Sequence, residues 1–170
     1  MQPVIDELEE NNAFRERILS TTRTLYGLIE NNGVSYNRSE MDSLMSDLFI
    51  NPTYNGQSET LNILFNSGKI NIIRNDSIKN ALVLWPQQVA DITEDEIFAS
   101  NINFNDLQPL VKRYVSLRSI YEKIDFRSFS LYETTIESPF TANYQELFLD
   151  REFSGTLAAR ELTLAVALIQ

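Results

Sequence analysis

Residues 58–85 read SETLNILFNSGKINIIRNDSIKNALVLW, and this stretch decides the fold class. Ser58 is a typical helix N-cap, and apolar residues recur at helical spacing from Leu61 onwards. Gly68 is a typical residue just past a helix C-terminus, where we expect it at positive φ. A short apolar connection follows, and Asp76 is predicted to cap a second helix. The stretch therefore predicts two helices joined by a tight turn.

The rest of the chain also favours helices. Only five Gly and five Pro occur in 170 residues, which is sparse punctuation for many short strands. We expect a long first helix ending near Glu30, a helix that continues through Pro86, and another that begins at Asn105 or Asp106. The sequence thus predicts a single all-α domain over residues 1–170, an irregular bundle of about six helices.

The helical spacing also predicts which side chains are buried. We expect a core that combines the 58–85 stretch with later helices. Its predicted members are Leu61, Leu64, Ile73, Ile78, Leu82, Tyr114 and Leu157. The two ends of the chain are apolar as well, and we expect them to leave an exposed edge at Val4, Ile5, Leu168 and Ile169. Because such edges self-associate, a homodimer is expected.

Composition narrows the classes of function. The formal net charge is −10, which disfavours nucleic acid and anionic membrane surfaces because both bind through Lys and Arg. The chain has no Cys and no His, so it lacks thiolate ligands, the commonest general base and the commonest transition-metal ligand. No apolar run approaches the roughly 20 residues of a membrane span. We expect no cofactor and no metal site.

The pattern L-x-x-L-x-x-S-G-K-[IL]-x-[IL]-I-R-N-D-x-[IL]-[RK]-N-x-L runs from Leu61 to Leu82. It resembles an uncharacterised bacterial family, common in Bacteroidota and known only as a domain of unknown function. The segment LFLDREF at residues 147–153, Arg160 in a stretch of small residues, and the charged first helix agree with this resemblance. The resemblance touches most of the chain, and residues 67–80 are its specific part.

The resemblance implies a membrane anchor. In that family a basic N-terminus and one transmembrane helix precede the first helix, and this arrangement places the domain outside the cytoplasm. It implies that the chain is a soluble fragment of a periplasmic, membrane-anchored protein, without its N-terminal anchor and a C-terminal extension. The family supplies no established activity, so the resemblance assigns no catalytic residue.

Four neighbouring residues form the main candidate site: Lys69, Arg74, Asn75 and Asp76. They are interpreted as a docking patch for a protein partner or an anionic ligand at the start of a helix. The competing interpretation is local, because Asp76 is a good cap while the two cations can satisfy the carbonyl end of the preceding helix. The local interpretation is favoured.

Two further features have a functional and a structural interpretation. Trp85, next to Pro86, is a candidate pocket residue, although a single Trp in a core is ordinary. A cluster of carboxylates offers oxygen ligands for a hard cation, although a solvated acidic helix face is the simpler interpretation. The cluster consists of Asp91, Glu94, Asp95 and Glu96.

A hydrolase is the least favoured function. Ser67 and Lys69 could form a nucleophile and base only if the lysine were desolvated beside the hydroxyl, and the glycine between them favours a helix end. The leading hypothesis is a non-enzymatic, membrane-tethered interaction or sensory module with an unknown protein partner. A helical domain that binds a small ligand near Trp85 is the alternative.

Overall fold

The computed structural model describes residues 2–31, 37–54, 59–124 and 140–168. These residues are all-α and contain no strand, and the long N-terminal helix is present, as predicted. Ser58 lies outside the described residues. The helices are α1 (Gln2–Glu30), α2 (Arg38–Leu48), α3 (Glu59–Asn66), α4 (Asp76–Asn101), α5 (Gln108–Val111), α6 (Leu117–Tyr121), α7 (Tyr144–Leu149) and α8 (Arg151–Ala167).

Asparagine and aspartate side chains begin several of these helices. The Asn37 side chain accepts a hydrogen bond from Ser39 N at 2.9 Å and caps α2. Asp150 ends α7 and caps α8, and its carboxylate accepts from Glu152 N at 2.8 Å. These short side chains satisfy backbone N–H groups that have no partner within the first turn.

Helix α4 passes through Pro86 without ending, as predicted, and then continues through a π-helical turn, Ile102–Leu107, into α5. The prediction that Asn105 or Asp106 caps a new helix is therefore wrong. In a regular α-helix the ring of Pro109 would clash with the carbonyl of Asn105. The wider π turn ends two residues before Pro109, and the helix continues through the proline without a break.

The core is built from α1, α2, the segment after the π turn, α7 and α8. The largest apolar side chains that are fully buried include Ile18 and Leu25 of α1, Met45 of α2 and Leu157 of α8. The other core residues are Met41, Leu48, Phe49, Leu107, Leu110, Val111, Val115, Ile120, Tyr144, Leu147, Phe148, Phe153 and Leu164. We call this packed part of the molecule the body.

Most of the predicted core is wrong. Leu157 is buried and Tyr114 is half-buried, but Leu61, Leu64, Ile73 and Leu82 are only half-buried, and Ile78 is exposed. No side chain from residue 61 to residue 101 is fully buried. Helical spacing indicates an apolar face but does not specify what covers it, and the core of the body is completed by other helices. We call residues 59–85 the arm.

The first and last helices lie side by side, because α1 packs against α8. Arg23 and Glu161 join the two helices by an ion pair at 3.1 Å. Of the residues predicted to form an exposed apolar edge, Ile5 is exposed and Leu168 is half-buried. The side chain of Val4 and residue Ile169 lie outside the described part of the chain.

Candidate interaction surface

The four residues of the predicted patch lie together at the tip of the arm, and all four are exposed. Gly68 has φ 69° and ends α3, as predicted, and a 3-10 turn, Lys69–Ile72, leads from it towards α4. Asp76 is the first residue of α4 rather than its cap. The structure thus brings the patch to one turn, where two cations precede the start of α4.

Asn75 is the residue that caps α4, which corrects the predicted role of Asp76. Its backbone is extended, and its side-chain oxygen accepts a hydrogen bond from Ile78 N at 3.2 Å. Asp76 then places its carboxylate in the first turn, where it complements the positive end of the helix dipole. Both residues therefore have a local role, while Lys69 and Arg74 are the positive charges that the tip presents to solvent.

The arm exposes apolar side chains beside these charges. Ile63 is 65% exposed, Ile72 is 72% exposed and Ile78 is 50% exposed. We call these three residues the arm face. Isolated exposed apolar residues are ordinary on a protein surface, and the arm carries three of them between positions 63 and 78.

Trp85 lies where the arm meets the body. Its indole ring is half-buried and packs edge-on against Tyr54, with ring centroids 6.3 Å apart. Edge-to-face aromatic pairs of this kind stabilise packing beyond the area that they bury. The contact accounts for Trp85 as an anchor of the arm, and a ligand pocket at this residue stays a prediction.

An ion pair fixes the same junction. Arg15 of α1 donates to a Glu96 carboxylate oxygen at 2.6 Å, and the backbone N–H of Tyr54 donates to the same carboxylate at 2.9 Å. Burial raises the pKa of Glu96, although the Tyr54 N–H and Arg15 act in the opposite direction. Glu96, one of the four clustered carboxylates, thus has a structural role, because it ties α4 to α1.

Arg160 is the largest fully buried side chain, and it is polar. Its guanidinium donates to Ile50 O at 2.7 Å, to Ala99 O at 3.1 Å and to the Asn51 side chain at 3.1 Å. Burial lowers the pKa of Arg160 to about 10. These bonds tie α8 to α4 and to the segment after α2, which makes Arg160 a structural hub of the body.

The polar cluster around Arg160 encloses little space. Arg15, Asp95 and Thr163 line the same cavity, whose volume is about 20 Å³. That volume accommodates about one water molecule. Arg160 Nε and one carboxylate oxygen of Asp95 are buried without a hydrogen-bond partner among the described residues. The site is large enough for a bridging water and too small for a metabolite.

The two catalytic alternatives gain little from the geometry. Ser67 Oγ donates to Leu64 O at 3.2 Å, so the hydroxyl completes the end of α3, and Lys69 beside it is exposed rather than desolvated. In the carboxylate cluster, Asp91 and Glu94 are exposed and Glu96 is paired with Arg15. Across the described ranges, no cluster of three acidic side chains is placed to hold a metal ion.

Residue-by-residue reasoning missed the polar groups inside the body. Asp42 accepts a buried hydrogen bond from the Tyr144 hydroxyl, and Arg160 bonds three acceptors, yet the sequence pattern indicates none of these contacts. One signal was available for Arg160, since it falls at helical spacing between Leu157 and Leu164 on the buried stripe of α8. A charged residue on such a stripe requires buried acceptors.

No known protein family matches this chain, and neither characterised proteins nor solved structures show a similar one. The bacterial family resemblance therefore stays a prediction. In the part of the chain that the structure describes, no helix combines the length and apolar character of a membrane span.

Proposed function

We propose that this protein is a non-enzymatic interaction module whose arm docks onto another protein. The observation that carries the proposal is the exposure of the arm face on a molecule whose body has a fully buried core. Ile63, Ile72 and Ile78 stand clear of that core, so they contribute little to the stability of the body. Binding a partner is the role that accounts best for apolar side chains kept in water.

Charge supports a partner of defined chemistry. The arm carries Lys69, Arg74 and Lys79 against Glu59 and Asp76, so its net charge is +1 on a chain of net charge −10. A segment with apolar side chains flanked by carboxylates complements this surface, because opposite charges steer association and fix the register. The proposed partner is therefore a protein that presents an acidic, amphipathic segment.

The location of the encounter is part of the same proposal. Under the family resemblance, the domain is tethered to a membrane and lies outside the cytoplasm. A tether confines the arm to a thin layer and raises its effective concentration for a partner held in the same membrane. The module then acts as an anchored receptor or sensor for that partner.

Site-specific photo-cross-linking in the cells that produce the protein tests the proposal. The cross-linker replaces Ile72 on the arm or, as a matched control, Leu149 on the body, since both are apolar and 72% and 77% exposed. We expect a discrete protein adduct at position 72 only, with a mass other than twice that of the chain. Exchanging Lys69 and Arg74 for Glu should abolish this adduct.

Two results would contradict the proposed partner. Equal adducts at both positions would show that the arm has no special role. Binding of the purified chain to vesicles rich in phosphatidylserine, lost on Ile72→Asp, would replace a protein partner by a lipid surface. A folded Ile72→Asp variant is expected, because this side chain packs against little of the protein.

A further inference from the structure

The outward side of α4 carries two apolar pairs that the body leaves uncovered. Val83 and Leu84 are each 52% exposed, and Ile97 and Phe98 are each 57% exposed. The pairs are 14 residues apart, close to four helical turns, so they lie on one side of the helix about 21 Å from each other. We call this side the outer face of α4.

The outer face is separate from the arm face and from the side of α4 that meets the body. At 100° per residue, Ile78 of the arm face lies on the opposite side of the helix from Val83 and Leu84. Trp85 and Glu96 also lie on that opposite side, where they contact Tyr54 and Arg15. The outer face is therefore available while α4 stays attached to the body.

The apolar positions of the outer face are arranged symmetrically about the middle of α4. Between the apolar pairs, four exposed residues occupy the same side of the helix: Gln87, Ala90, Asp91 and Glu94. Counted from the midpoint between Ala90 and Asp91, Val83 and Phe98 are equally distant, as are Leu84 and Ile97. A two-fold contact requires a surface of this self-complementary kind, because each half must match the other half of the same surface.

We propose that a second copy of this chain packs antiparallel on the outer face of α4, about a two-fold axis beside Ala90. Each apolar pair then meets the opposite pair of the other copy, Val83 against Phe98 and Leu84 against Ile97. The small Ala90 side chain at the crossing point lets the helix axes approach to about 8–10 Å. The contact buries eight apolar side chains that are exposed in the single chain.

The charge distribution favours the antiparallel direction. The arm has a net charge of +1. Because the whole chain has a net charge of −10, the rest of the chain has a net charge of −11. Counted from the midpoint between Ala90 and Asp91, Arg74 lies 16.5 residues before the axis and Asp106 lies 15.5 residues beyond it, and both are exposed. Antiparallel packing brings these opposite charges together, whereas parallel packing brings like charges together.

One residue of the outer face, Asp91, opposes the contact between the two copies and weakens the dimer. The Asp91 carboxylates of the two copies lie close to each other beside the axis, where like charges repel. The dimer should therefore be reversible, and Asp91→Asn should shift its dissociation to a lower protein concentration. The inference does not rest on the proposed function, because Ile78, the arm-face residue that belongs to α4, lies on the other side of that helix.

Cysteine cross-linking tests the geometry, since the natural chain contains no Cys. A disulfide forms only between Cα atoms closer than about 7 Å. Under mild oxidation we expect Ala90→Cys to form a disulfide dimer and Val83→Cys alone to form none, because the two copies of position 83 lie roughly 22 Å apart along the helix. Mixing Val83→Cys with Phe98→Cys should give the mixed dimer. Leu149→Cys on the body is the control for random collision.

A mass measurement in solution gives the independent readout. Sedimentation of the chain should show a dimer at high concentration, and the double change Ile97→Asp with Phe98→Asp should halve the mass while far-UV circular dichroism stays helical. Leu149→Asp, the matched control, should leave the dimer intact. A monomer at every concentration, a dimer lost through Ile5→Asp instead, or self-cross-linking of Val83→Cys would each overturn the proposal.

Discussion

The body and the arm differ in what they do with similar apolar residues. The body gathers many of its apolar side chains in one core, where Leu25, Leu110 and Leu157 are at most 1% exposed. The arm is helical and rich in Ile and Leu, but Ile72 is 72% exposed and none of its described side chains is fully buried. The comparison shows that helical periodicity specifies a helix, while burial is decided by which other elements reach its face first.

The largest expected difference between the two regions concerns truncated apolar side chains. Leu157→Ala should lower the free energy of unfolding by about 2–5 kcal/mol, because it leaves a cavity in the core. Ile72→Ala should change it by less than about 0.5 kcal/mol, because the side chain is in water. Urea unfolding followed by far-UV circular dichroism measures both values. Similar losses for the two variants would remove the distinction between body and arm.

Arg160 sharpens the comparison for polar groups. Arg160→Met keeps the approximate volume but leaves the carbonyls of Ile50 and Ala99 buried without their donor. Unpaired buried acceptors should lower stability by roughly 2–4 kcal/mol. Arg113→Met is the matched control, because its ion pair with Glu152 is exposed and should contribute less than about 1 kcal/mol. A stable, well-folded Arg160→Met protein would show that the hub is dispensable.

These two contrasts also show what the sequence could predict. The all-α class, the long first helix, Gly68 at positive φ and the passage through Pro86 follow from local rules that neighbouring residues satisfy on their own. The identity of the core residues and of the α4 cap does not follow from such local rules. Asn75 and Asp76 are both suitable caps, and the extended backbone of Asn75 is what identifies it as the cap.

The residues of the candidate site also divide into those that the sequence could predict and those that it could not. The patch at the arm tip could be predicted as a cluster, because its members are adjacent in the sequence. The hydrogen bonds of Arg160 to residues 50, 51 and 99 join positions more than 60 residues apart. Such contacts depend on how helices pack, which the pattern of a single helix does not contain.

Substitutions of two glycines should change the stability by smaller amounts and in opposite directions. Gly68 has φ 69°, and Gly155 lies within α8, and an added Cβ would meet no atom within 4 Å at either position. Gly68→Ala should cost about 1 kcal/mol, because a side chain disfavours the left-handed region. Gly155→Ala should stabilise by about 0.5–1 kcal/mol through better helix propensity. Unfolding followed by the fluorescence of Trp85, the only tryptophan, measures the loss of stability in Gly68→Ala. Unfolding followed by circular dichroism measures the gain in Gly155→Ala.

The smallest effect concerns acid sensitivity where α8 begins. The Tyr114 hydroxyl donates to Asp150 at 2.7 Å and, together with the Glu152 N–H, lowers the pKa of that carboxyl. A lowered pKa contributes stability above the ordinary Asp value, and the contribution is lost as the pH falls through the folded value. Tyr114→Phe should raise the pKa of Asp150, measured by NMR titration, whereas Tyr121→Phe, which loses a bond to Gln108, should not.

Native-state hydrogen exchange tests the separation of arm and body most directly. If the body holds the fold and the arm stands ready for a partner, amides of α3 and of the first turns of α4 should exchange through local opening, with a free energy well below that of global unfolding. Amides of α8 around Leu157 and of α1 around Leu25 should exchange only through global unfolding. Equal protection of the arm and the body would contradict the account, because it would show that the arm is an integral part of one cooperative core.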